Sequence, residues 1–220
     1  MSENVRDDGT NGGFVLSMLP PDRNQPVRLF SEAGASALSP QWSPDGQLIA
    51  FGLGAFFNNR NQPARLMTIR RDGSSAREIR TGAANSGFPS WSPDGRRPVF
   101  RAWSDTDRGL RIVTLADSSV STLSSGYDNF PMWSPTGNVI VFTRFQDGDF
   151  DIFTVRPDGS DLTRLTTTPG NDAHAVWSPD GQYILFSSTR FGFKDELPLS
   201  EGGPQPAAEI FITSSDRAGS

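Results

Sequence analysis

The chain has 220 residues, within reach of one all-β domain, with 35% hydrophobic residues and a formal net charge of −5. It has no cysteine, which excludes disulfides and thiolate catalysis, and no apolar run of about 18 residues, which excludes a membrane-spanning helix. Its acidity, with basic residues in short pairs such as Arg70-Arg71 and Arg96-Arg97, argues against a nucleic-acid partner.

In chain order, Met1–Gly12 is polar and lacks the apolar core of a signal peptide, so residues 1–12 are expected to be disordered. Gly13–Leu19 and Val27–Phe30 read as the third and fourth strands of a four-stranded unit. Then a ten-residue stretch recurs four times, starting at Trp42, Trp91, Trp133 and Trp177, with spacings of 49, 42 and 44 residues. Each copy is Trp-Ser-Pro-Asp-Gly, or Trp-Ser-Pro-Thr-Gly at Trp133, followed by an apolar run ending in Phe51, Phe100, Phe142 or Phe186. The Trp ends a first strand. Pro fixes φ, Asp bonds the backbone ahead, and Gly accepts a positive φ, so the motif is a turn. The second strand is apolar on both faces, which suits a sheet sandwiched between two others, with the Trp wedged between them.

A third strand follows in each copy: Arg65–Ile69, Leu110–Leu115, Asp151–Val155 and Glu209–Thr213. Short fourth strands close three of them, at Arg77–Ile79, Val120–Leu123 and Leu162–Thr166. A period of about 40–45 residues with four strands per repeat is the mark of a β-propeller blade. The predicted fold is an all-β propeller of four-stranded antiparallel blades, residues 13–220, with repeats at about 13–31, 38–81, 87–124, 129–167 and 173–214. Pro98 stands where the other copies have Ile49, Ile140 and Ile184, which predicts a bulge or a weakened blade there. Two inserts, Phe56–Pro63 and Gly192–Pro206, interrupt the repeat; the second holds Lys194, the single lysine.

The chemistry points away from catalysis. There is one histidine, His174, and no Gly-x-Ser-x-Gly elbow, so no enzyme and no cofactor are expected. Asp147, Asp149 and Asp151 alternate like the start of a calcium loop but lack its distal glutamate, and turn formation accounts for them as well. The main candidate site is positional. The loops entering each first strand line the mouth of a propeller's channel, and they carry Asn85, Ser86, Asp128, Asn129, Asn171, Asp172 and His174. The alternative is that the Asn and Asp residues shape turns and that His174 packs as Phe88 and Phe130 do in its place.

The repeat, Trp-Ser-Pro-Asp-Gly with an Asp-Ile-Phe-type third strand, Asp-Gly and Leu-Thr, resembles that of TolB-type, WD-repeat-like propellers over about residues 13–214. Related repeats form the propeller of prolyl-oligopeptidase and dipeptidyl-peptidase relatives. The resemblance implies six blades in a closed ring, so about four to five blades read as an incomplete ring and part of a six-bladed type. Closure as a five-bladed ring, or association of two chains through open blade edges, are the alternatives. It implies a non-enzymatic scaffold that binds a protein or peptide at the channel mouth, in a periplasmic or secreted setting, without membrane insertion. The alternative is an accessory or gating propeller of a peptidase or carbohydrate-active enzyme whose catalytic part lies elsewhere.

Overall fold

The Ser-Pro-Asp-Gly turns show how the sequence builds each sheet. In the computed structural model Ser43 N donates to Leu48 O and Gly46 N donates to Ser43 O, both at 2.8 Å. Gly46, Gly95, Gly137 and Gly181 take φ between +66° and +79°, where a Cβ would be strained. Ser43 Oγ donates to Asp45 Oδ1 at 2.6 Å, and the same carboxylate accepts Gln47 N at 3.0 Å. Ser178, Asp180 and Gln182 repeat this network. In the Trp133 copy Thr136 replaces the Asp, and its hydroxyl pairs with Ser134 Oγ at 3.1 Å.

The structure describes residues 2–4, 14–22, 24–54, 63–82, 85–104, 106–189 and 209–215, with the backbone alone for 2–4, 14 and 209. The inserts 56–62 and 192–206, with Lys194, and most of residues 1–12 lie outside them. Five antiparallel sheets follow one another along the chain. The first is β1 (Ser2–Asn4), β2 (Phe14–Met18) and β3 (Val27–Phe30). The second is β4 (Ser36–Trp42), β5 (Leu48–Gly54), β6 (Arg65–Arg70) and β7 (Arg77–Ile79). The third is β8 (Ser86–Trp91), β9 (Pro98–Trp103), β10 (Arg108–Val113) and β11 (Val120–Thr122). The fourth is β12 (Tyr127–Trp133), β13 (Ile140–Gln146), β14 (Asp149–Val155) and β15 (Thr163–Arg164). The fifth is β16 (Asp172–Trp177), β17 (Tyr183–Ser188) and β18 (Glu209–Ser214). This is an all-β propeller architecture of antiparallel blades, three of them four-stranded and the first and fifth three-stranded among the described residues. The first strands β4, β8, β12 and β16 lie side by side along the inner edge.

Two expectations are corrected. Ser2–Asn4, placed in the disordered segment, forms β1, with Ser2 opposite Leu16 and Asn4 opposite Phe14. Pro98 causes neither a special bulge nor a broken ladder. It opens β9 opposite Trp91, a first-residue position that proline tolerates. A bulge does interrupt that sheet, between Gly87 and Ser90, but the second, fourth and fifth sheets have the same one.

The core lies between the sheets. Ile140, Phe142, Phe153 and Val155 of the fourth sheet meet Val99, Leu110 and Ile112 of the third. Trp91 and Trp133 are buried between sheets, as their wedge role requires, and Trp177 is half-buried. Trp91 Nε1 donates to Gln41 O at 3.0 Å, and Trp177 Nε1 donates to Met132 O at 3.2 Å, each bond reaching the neighbouring first strand. Trp42 departs from the pattern at 48% exposed. The second strands are apolar on both faces, but the fifth sheet has one face uncovered. The cross-strand pairs Val99–Ile112 and Val141–Thr154 are buried, whereas their counterparts Leu185 and Ile212 are 37% and 62% exposed.

Candidate functional site

The inner-edge bulge fixes the geometry of the mouth. In each bulge one non-glycine residue is forced to positive φ: Ser39 at 51°, Phe88 at 51°, Phe130 at 48° and His174 at 54°. This conformation is uncommon for any side chain with a Cβ, and its recurrence in four sheets makes it a built feature. Because the strands are neighbours, the bulge residues stack. The Phe88 and Phe130 rings meet edge-on with centroids 5.0 Å apart, and the Phe130 and His174 rings lie 4.3 Å apart. His174 is exposed and both Phe residues are half-buried. The position that made His174 a candidate is therefore the top of an aromatic ladder.

The remaining predicted residues support this ladder from beneath or beside. Asn85 and Ser86 clamp the second sheet: Ala64 N donates to Asn85 Oδ1 at 3.1 Å, and Ser86 N donates to Ala64 O at 2.7 Å. Asn171 does the same to the fourth sheet, accepting Phe150 N at 3.1 Å. Asn129 Oδ1 accepts Phe130 N at 3.0 Å and Arg101 Nη1 at 3.3 Å. Asp128 is fully buried and forms a bidentate pair with Arg144 at 2.6 and 2.8 Å, with Ser124 Oγ also donating to it. Ser86 and Asp172 are buried as well. Of the predicted mouth residues, Ser86, Asp128, Asn129 and Asp172 are thus buried, while His174 is exposed.

Other groups, not singled out by their spacing, complete the surface. Arg101 lies 4.7 Å from the Phe88 ring and 5.0 Å from the Trp103 ring, joining the ladder to a second aromatic row. That row runs from Trp103 to Tyr127 (4.9 Å), Phe145 (6.2 Å) and Phe150 (5.1 Å). Tyr127 and Phe145 are both exposed, and Arg108 sits 4.3 Å over the Tyr127 ring. A cavity of about 320 Å³ beside it is lined by Thr106, Asp107, Arg108 and Tyr127. The aromatic types were visible in the sequence; their convergence needed the sheet order.

The Asp147, Asp149 and Asp151 carboxylates serve three different structural ends. Asp147 is exposed at the β13–β14 turn and bonds Arg164 at 3.2 Å. Asp149 accepts Gly170 N at 3.0 Å. Asp151 is buried, accepts Arg164 Nη2 at 2.5 Å and Thr166 Oγ1 at 3.1 Å, and burial pushes its carboxyl above the usual range. Among the described residues no three His, Asp or Glu side chains gather as a metal site. At the opposite end of the sheets the turn aspartates Asp45, Asp94 and Asp180 are held below the usual carboxylate range, chiefly by the serine hydroxyls that bond them. Among the described residues no helix is long and apolar enough to cross a membrane.

Comparison with known proteins agrees with this architecture. The model of the TolB beta propeller domain matches residues 55–195. A protein TolB homolog from Chlorobium luteolum is 31% identical over 137 residues, 62% of this chain and 31% of that protein. The chain thus matches less than a third of that curated relative's length. The structure of a candidate TolB from Agrobacterium tumefaciens superposes with a TM-score of 0.77 at 21% identity, covering 94% of this chain and 72% of that one. TolB from Acinetobacter baumannii gives 0.70 at 22% identity, covering 92% of this chain and 47% of that one. Sheet order, recurrent Trp turns and the family match together establish that the chain belongs to the TolB beta propeller domain family.

Proposed function

We propose that this propeller is a non-catalytic binding scaffold that takes a protein or peptide segment at its channel mouth. The observation that carries the reading is the Phe88–Phe130–His174 ladder, built on three left-handed bulge residues of adjacent first strands. Strained backbone held in place by the surrounding sheets is a common feature of ligand sites. Aromatic side chains supply large contact area with few rotatable bonds, which is why they dominate binding hot spots. The flanking Trp103–Tyr127–Phe145 row, with Arg101 and Arg108, extends that area outward.

The test uses peptides selected from a displayed library on the native chain. They are then titrated against His174→Asn, which keeps a residue tolerant of positive φ, and against Phe130→Leu. The reading expects affinity to fall by about tenfold or more in both, with melting temperatures nearly unchanged. Affinities equal to that of the native chain would refute it.

A further inference from the structure

Arginines gather beside the mouth of this acidic chain, where the β9–β10 turn meets the segment that joins β11 to β12. Both segments belong to the third and fourth sheets, each complete with four strands. Two contacts hold them together. A Cβ at Gly109 would collide with the carbonyl of Ser124, so only glycine permits that approach. Arg111 then crosses the junction, its Nη1 donating to Ser124 O at 2.8 Å and to Leu110 O at 3.0 Å. Ser104 shapes the turn itself: its Oγ accepts Asp107 N at 2.8 Å, and its carbonyl accepts Arg108 Nε at 3.1 Å.

The cleft of about 320 Å³ lies at this junction. That is the lower end of the size range of small-ligand sites. Its walls divide by chemistry. Arg108 and Arg111 can only donate, Asp107 can only accept, and the hydroxyls of Thr106, Ser125 and Tyr127 can do both. Arg111 Nη2 donates to Asp107 Oδ1, and the Asp107 side chain is 48% exposed and keeps Oδ2 as an acceptor. Two guanidiniums against one carboxylate leave a positive balance. The Tyr127 ring, with Arg108 over it at 4.3 Å, supplies the apolar wall. Phe145, exposed like Tyr127, continues that wall with its ring centre 6.2 Å away.

We infer that this cleft binds a uronic-acid residue of an oligosaccharide. The carboxylate pairs with Arg108, and the ring hydroxyls donate to Asp107 and exchange hydrogen bonds with Thr106 and Ser125. The C–H face of the sugar lies along the Tyr127–Phe145 row, with the next sugar of the chain towards Phe145. Guanidinium and carboxylate match in shape, and their hydrogen bonds are charge-assisted. A neutral sugar leaves the positive balance unanswered. An acidic peptide side chain brings a carboxylate but no hydroxyls, and it meets the Asp107 charge without a donor to offset it. Single-stranded nucleic acid stacks on aromatic rows, but it brings a run of phosphates to a chain of net charge −5. No residue of the Phe88–Phe130–His174 ladder lines the cleft, so the inference goes beyond the function proposed at the mouth and does not depend on it.

The experiment titrates a short β-linked glucuronate oligomer into the full 220-residue chain by isothermal calorimetry. The β-linked glucose oligomer of the same length serves as its uncharged match, and oligoglutamate and single-stranded oligothymidylate serve as anions of other classes. The expected result is saturable binding of the glucuronate oligomer, with the glucose oligomer weaker by about tenfold or more. Arg108→Gln and Tyr127→Leu should each weaken glucuronate binding by about tenfold or more. The ladder variants His174→Asn and Phe130→Leu should retain it, which separates this site from the peptide site. Absence of saturable binding overturns the inference. So does equal binding of the glucose oligomer, of oligoglutamate or of oligothymidylate, or glucuronate binding kept in both cleft variants. If Tyr127→Leu does not melt cooperatively, Arg108→Gln decides the outcome.

Discussion

Asp128 and Arg144 form a closed ion pair beneath the mouth, Nε to Oδ1 at 2.6 Å and Nη2 to Oδ2 at 2.8 Å, with the carboxylate fully buried. The Arg144 guanidinium also lies 5.3 Å from the Phe142 ring and 5.2 Å from the Phe153 ring, so the pair ties the start of β12 to the core of the fourth sheet. Gly126 leaves room for it, since a Cβ there would lie 2.8 Å from both Arg144 Nε and Asp128 Oδ1.

Removing one partner leaves the other buried without its counter-charge. Asp128→Ala is expected to destabilise by about 3–5 kcal/mol in urea unfolding. Replacing both residues with apolar ones should cost less than the single change. A single change near zero would mean that the pair contributes no stability.

Ile152 and Ile210 occupy the same repeat position, opposite Thr143 and Ser187, but Ile152 is fully buried and Ile210 is 79% exposed. Truncation to alanine should cost about 2–5 kcal/mol at Ile152. At Ile210 it should cost about 0.5 kcal/mol or less. Any self-association seen by light scattering should fall in Ile210→Ser, because Val176, Leu185, Ile210 and Ile212 form an exposed apolar patch of the kind that promotes association. Equal costs at the two positions would show that the fifth sheet is covered in solution.

Stability should decline in acid with a specific origin. Asp45, Asp72, Asp94, Asp117, Asp158 and Asp180 all have carboxyls held below the usual range by turn hydrogen bonds. A group whose pKa is lower in the folded state contributes stability above its unfolded pKa of about 3.9, and that contribution is lost as pH falls through the folded value. Asp151 is shifted upward and works in the opposite direction over the window between its unfolded and folded values. Melting temperature measured from pH 7 down to about 2.5 should therefore drop mainly below about pH 4. Asp45→Asn, Asp94→Asn and Asp180→Asn combined should flatten that drop, and an unchanged profile would remove the turns as its cause.

Much of this architecture could be read from four copies of one turn. Pro, Asp and Gly at fixed offsets specify local backbone states, so strand pairs and their order followed from spacing alone. The mouth was legible as a place but not as chemistry. Asn85 and Asn171 proved to be clamps because the donors their side-chain oxygens accept from, Ala64 N and Phe150 N, lie 21 residues away in the preceding repeat. Nothing local marks Phe88, Phe130 and His174 as positive-φ residues, since the bulge arises from register between strands and not from residue type. Trp42 misled for the same reason: its sequence matches the buried copies, and its exposure depends on what stands across from it.

The claim that the mouth binds a partner is tested most directly by a site-specific optical probe, which the absence of cysteine in the native chain makes simple. A single cysteine at Ser39→Cys places an environment-sensitive fluorophore at the half-buried bulge position beside the ladder, and Ser74→Cys places it at the exposed far end. Addition of a selected peptide ligand should shift the emission of the Ser39→Cys label, saturating at the affinity of the unlabelled chain, and leave the Ser74→Cys label unchanged. A response at Ser74→Cys alone, or no response at Ser39→Cys despite proven binding, would contradict the account.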